Sequence, residues 1–109
     1  MSGGFDDRKK AFENKWAHDE ELRFKVTARR NKLLGLWAAG EMGLSGEAAA
    51  SYAKEVVVAD LAETGDEDVI RKILADFSAK GVTRSDYSIR TKMEELLAVA
   101  SEQVMTETK

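Results

Sequence analysis

Not one of the 109 residues is a proline, although proline usually makes up about 5% of a protein. No position therefore has its φ locked by a ring or its backbone N–H removed, and long unbroken helices can form anywhere in the chain. Segments that alternate apolar and polar residues are absent too. The one β-branched run, Val56 to Val58, sits inside EAAASYAKEVVVADLAE, where Ala, Glu and Lys favour helix. An all-α fold is expected.

Stop signals divide the chain into four helical stretches. The first runs from about Asp6 to Met42, in one piece or two, and ends in the glycine-rich GEMGLSGE. There Gly43 followed by Leu44 fits a left-handed cap with its hydrophobic contact. The second opens at Ser45, a good N-cap, and closes near Gly65. In the third, Asp66 is the expected cap, with Glu67 and Asp68 at the positive end of the helix dipole. Its stripe, Val69, Ile70, Ile73, Leu74 and Phe77, is spaced for one helix face, and Gly81 ends it. The fourth starts at Thr83 or Ser85 and buries Ile89, Met93, Leu96, Leu97, Ala100 and Val104; fraying is expected after Met105. Short connections favour antiparallel neighbours, so the predicted architecture is a compact bundle of about four helices.

The composition removes several chemistries. Without a cysteine there can be no disulfide, iron–sulfur cluster, thiolate zinc site or cysteine nucleophile. His18 is the sole histidine, and with Glu21 at i+3 it offers only two metal ligands, too few for a closed site. Gly35, Gly40, Gly43 and Gly46 lack the GKS/T ending of a phosphate loop and follow no strand, so they read as helix punctuation. Paired carboxylates at Asp6 and Asp7, at 66–68, and at Glu94 and Glu95 fit helix ends and solvated faces, while Tyr52 and Tyr87 have no catalytic companion in the pattern. Neither a catalytic activity nor a cofactor is expected. No apolar run approaches the ~20 residues of a membrane span, and MSGGFDDRKK carries no secretory segment. A cytoplasmic protein without membrane insertion is the expectation.

The N-terminal segment breaks the bundle pattern. At ~100° per residue, Leu22, Val26, Leu33, Leu36 and Trp37 share one azimuth, whereas Phe5, Phe12 and Trp16 cluster roughly 80° away. Between the two faces lies the wholly polar His18-Asp19-Glu20-Glu21. Ten of the first 21 residues are charged, leaving little apolar surface to offset the entropy of ordering. Two readings are open. In one, Phe12 and Trp16 fold back as a satellite of the core. In the other, an arm that is mobile and disordered when alone becomes an amphipathic helix in a partner's groove. Charge is divided unevenly as well: residues 1–32 hold nine basic and six acidic groups, and residues 33–109 hold eight and fourteen. A basic arm on an acidic body steers association with an acidic partner. Nucleic acid is not expected, because acidic groups interrupt the arm and the whole chain carries a net charge of −3, unlike the basic domains of such binders.

FDDR-x-x-AFE, HDEELRFK and ARRNKLLGLWAA, followed by YAKEVV and GDEDVIRKILADF, closely resemble the zeta subunit, an ATPase inhibitor, of the F-type ATP synthase of alphaproteobacteria. The resemblance covers essentially the whole chain. Lys9, Trp16 and Gly40 depart from the family's usual residues, although Trp16 keeps an aromatic in its place. The resemblance implies a four-helix bundle over 20–109 and a mobile inhibitory arm over 1–19. It further implies that the arm enters an interface between alpha and beta subunits beside the gamma shaft and blocks rotation in the hydrolysis direction. Carried over residue by residue, the partner contacts are Phe5, Asp6, Asp7, Arg8, Phe12 and Trp16, with Lys10 and Lys15 adding charge. The implied setting is the bacterial cytoplasm, peripheral to the inner membrane. The rival reading is a helical adaptor whose basic arm docks on another acidic protein.

Overall fold

The computed structural model describes the backbone of residues 4–62 and 65–107 and, within these, the side chains of all but residues 4–7, 9 and 62. Within the described residues five helices follow one another: α1 (Gly4–His18), α2 (Glu20–Glu41), α3 (Gly46–Ala62), α4 (Glu67–Ala79) and α5 (Asp86–Glu107). Among the described residues no strand interrupts them. The long first stretch expected from the sequence is thus two helices, parted at Asp19.

The glycine stops behave as their chemistry requires. Met42 closes α2 and Gly43 takes a positive φ of 81°. This lets the Gly43 and Leu44 N–H groups reach back to the carbonyls of Gly40 (3.1 Å) and Ala39 (2.8 Å), the paired bonds of a Schellman motif. The end of α4 repeats the device: Gly81 has φ 73°, and Val82 N–H bonds to Phe77 O at 2.8 Å. Leu44 and Val82 then pack on the core, so each stop also fixes the direction in which the chain leaves. Ser85 opens α5, its Oγ accepting from Ser88 N–H at 3.1 Å.

The principal core lies where α2, α3, α4 and α5 meet. Leu34, Val56, Ile73, Phe77 and Ile89 are fully or almost fully buried there, and Trp37 sets its ring edge against Phe77 at 5.9 Å. The expected stripes of α4 and α5 face inward, with Leu74, Leu96 and Leu97 half-buried at the margins. On α2 the expected single face is corrected. Leu36 is exposed, whereas Leu34, Arg30 and Asn31 are buried, because α2 is the central helix and packs against α1, α3 and α5 at once.

Three further expectations change. Gly35 does not punctuate a helix; it lies within α2, where a Cβ would come 2.6 Å from Ala53 Cα on α3, so the missing side chain lets two backbones touch. Asp66 stands at the start of α4 but makes no cap bond. Its carboxylate accepts instead from Arg30 Nη2 at 2.8 Å, since a buried guanidinium without a counter-charge is costly. Nor does α5 stop at Met105: it continues to Glu107, which Arg29 grips through both terminal nitrogens at 2.7 Å.

Candidate functional site

Asp19 organises the N-terminal region. It sits in extended conformation (φ −107°, ψ 113°), and its carboxylate accepts from Leu22 N–H at 3.0 Å. Glu20 and Glu21 follow in the first turn of α2, where negative charge suits the dipole. So α2 is capped by its own residues and does not depend on continuity with α1. The sequence carries this signal, an Asp followed by two acidic residues ahead of an apolar-periodic run, although by hydropathy alone the stretch is only a polar gap between two faces.

The break also sets where the aromatic face rests in the free chain. An azimuth computed along one continuous helix does not carry across Asp19. With α1 turned at this point, Phe12 and Trp16 come to rest against a second apolar cluster, Leu22 and Val26 of α2 with Ala100 and Val104 of α5. The Trp16 indole N–H donates to Ser101 Oγ at 3.0 Å. The expectation that this stripe finds no partner face on its own body is therefore corrected: both aromatics are half-buried as a satellite of the core. The other expected contacts are distributed differently. Arg8, Lys10 and Lys15 are exposed along α1. The side chains of Phe5, Asp6 and Asp7 lie outside the described residues.

The remaining polar constellations tie helices together. Tyr52 donates to Asp76 Oδ2 at 2.7 Å, and Lys72 bonds both Asp76 and Glu55, linking α3 to α4. Burial, and then the bond to Asp76, push the Tyr52 phenol above its ordinary pKa, so the group stays protonated. Among the described residues no cluster of three or more His, Asp or Glu side chains could hold a metal ion. Nor is any helix of the described residues long and apolar enough to cross a membrane.

Over residues 1–103 the sequence matches the family described as ATPase inhibitor subunit zeta. The chain belongs to that family. It is also similar to a protein known from a solution NMR structure: the two are 51% identical, with a TM-score of 0.70, and the match covers 79% of this chain and 98% of the other. No protein of curated function matches it.

Membership of the zeta family suggests a non-catalytic regulatory protein that interacts with an ATPase, and it directs attention to residues that sequence patterns did not single out. Ser101, the partner of Trp16, is only 3% exposed on α5. Arg29 ties the last turn of α5 to α2 through Gln103 and Glu107, and its bond holds the Glu107 carboxyl below the usual range. Phe24 stands 57% exposed beside Lys25 and Lys32 in a recess of about 610 Å³ that Val57 also lines. None of these three could be found from spacing alone, since each depends on which helix lies alongside.

Proposed function

We propose that this chain inhibits ATP hydrolysis by the F-type ATP synthase, and that its segment 1–19 is the inhibitory element. The segment enters an interface between alpha and beta subunits of the catalytic head, beside the gamma shaft, and opposes rotation in the hydrolysis direction. The body from residue 20 onward is the anchor. The protein works at the cytoplasmic face of the bacterial inner membrane, held there by the ATP synthase.

The observation that carries this reading is the self-sufficient start of α2 at Asp19. Because Asp19 caps α2 on its own, α1 can leave without unwinding the body, and it takes two aromatic anchors with it. In the cleft, Phe12 and Trp16 would each gain up to ~1.5–3 kcal/mol if fully buried. Phe5 extends the aromatic face, Arg8, Lys10 and Lys15 meet partner carboxylates, and Asp6 and Asp7 meet partner cations. The acidic body and basic N-terminal third orient the approach.

Removal of residues 1–19 tests the assignment. ATP hydrolysis by the purified catalytic head is expected to continue uninhibited in the presence of the truncated chain, which keeps its helical content. Full inhibition by that truncated chain would overturn the reading.

A further inference from the structure

We propose that the docked position of α1 is a latch: Trp16 and Phe12 are held on α5 by Ser101 and its apolar neighbours, and α1 must release before it can engage a partner. The inference rests on the reading above, in that the same two aromatics are assigned to the partner's cleft. One aromatic edge cannot lie against α5 and inside another protein at once. The docked and inhibitory states therefore exclude each other.

Three features make the docked state a reversible one. First, its grip is shallow: Phe12 and Trp16 remain half-buried, resting on small or branched side chains, Ala100 and Val104 of α5 with Leu22 and Val26 of α2. Second, the polar attachment between α1 and α5 among the described residues is the bond from Trp16 Nε1 to Ser101 Oγ, and no ion pair of the described residues involves α1. Among the described residues undocking thus parts no ion pair, and the freed hydroxyl and indole N–H can both bond to water. Third, the Asp19 cap on Leu22 N–H lies wholly on the α2 side of the break, and the bonds that cross it, from Arg23 Nη1 to Ala17 O at 3.1 Å and from Asp19 N–H to Trp16 O at 3.3 Å, end on backbone carbonyls that water can serve as well. Ser101 is a buried hydroxyl on an otherwise apolar strip of α5, at the one place where an indole N–H needs an acceptor.

A chain whose competent form is only part of the population binds more weakly by that fraction. Loosening the latch should therefore strengthen inhibition. In Ser101→Ala the indole N–H loses its acceptor, and one neutral hydrogen bond corresponds to roughly a two- to tenfold shift in the open population.

The test uses the full-length chain. Hydrogen exchange of the α1 amides and of the Trp16 indole N–H should quicken two- to tenfold in Ser101→Ala, with exchange at Ile73 and Phe77 unchanged. The concentration giving half-inhibition of the purified catalytic head should fall by the same factor. Trp16→Phe should quicken α1 exchange similarly, and the double variant should add little to either single change, because both remove one bond. Unchanged exchange in Ser101→Ala would overturn the latch, and so would faster exchange accompanied by equal or weaker inhibition. Failure of the arm assignment looks different: the chain lacking residues 1–19 would still inhibit, while the exchange measurements would report on the docked contact separately.

Discussion

Phe77 and Trp16 each close an apolar cluster, yet they do so at different depths. Phe77 is met by residues of several helices, stacks edge-on against Trp37 at 5.9 Å, and is almost fully buried. Trp16 closes its cluster from one side, half-buried, with a single hydrogen bond to Ser101 as its polar tie. The two clusters share α2 and α5 but draw their aromatics from opposite sides of the Asp19 break. The contrast is one of depth and of origin: the first cluster is built from α2 to α5, and the second fastens α1 to α2 and α5.

The strongest way to break that contrast is to empty the principal core. Phe77→Ala should cost about 3–5 kcal/mol, a large share of a small domain's stability, read as a lowered denaturation midpoint with the slope retained. If the loss were no larger than for Trp16, the two clusters would not differ as described. Gly35→Ala comes next. Its new Cβ meets Ala53 Cα at 2.6 Å, so α2 and α3 must move apart, at about 1–3 kcal/mol. Trp16→Ala should cost about 1 kcal/mol, since a half-buried ring forfeits only part of its transfer energy. That loss should appear in the exchange of α1 amides, while the exchange of α4 amides stays as it was.

The smallest effect is one of pH. The hydrogen bond from Arg29 holds the Glu107 carboxyl below its ordinary value of 4.5. A carboxyl lowered on folding adds stability above its unfolded pKa and loses it as pH falls through the folded value. The last turn of α5 should accordingly loosen only in acid below that ordinary value, seen as faster amide exchange there. Glu107→Gln should show the loosened turn already at neutral pH and lose the acid dependence. Because both groups lie at the surface, the change should stay local and shrink with added salt.

Much of the fold could be read from the chain because its signals are local. Gly43 with Leu44, Gly81 with its following Val82, and Ser85 at the head of α5 act through bonds spanning five residues or fewer. The stripes on α4 and α5 each face one core and show one period. On α2 that logic fails: the helix is covered on several sides, so Arg30 and Asn31 are buried although a one-face pattern assigns them to solvent. Gly35 shows the same limit, because its reason is Ala53, eighteen residues away on another helix. At the candidate site, the pairing of Phe12 with Trp16 was plain from spacing, and so were the cations of α1. Where those aromatics rest was not, since azimuths add up only along one unbroken helix and the chain breaks at Asp19. Ser101 could not be recognised at all without knowing that α1 lies against α5.

The punctuation at Asp19 carries one more consequence. Since the body counts its turns from that residue, the length of chain ahead of it is free to drift. Inserting or deleting one residue there swings the leading rod by about 100° and alters its reach by about 1.5 Å, while the side chains of the principal core around Phe77 keep their neighbours. The length and the azimuth of the leading helix can thus change without a redesign of the principal core.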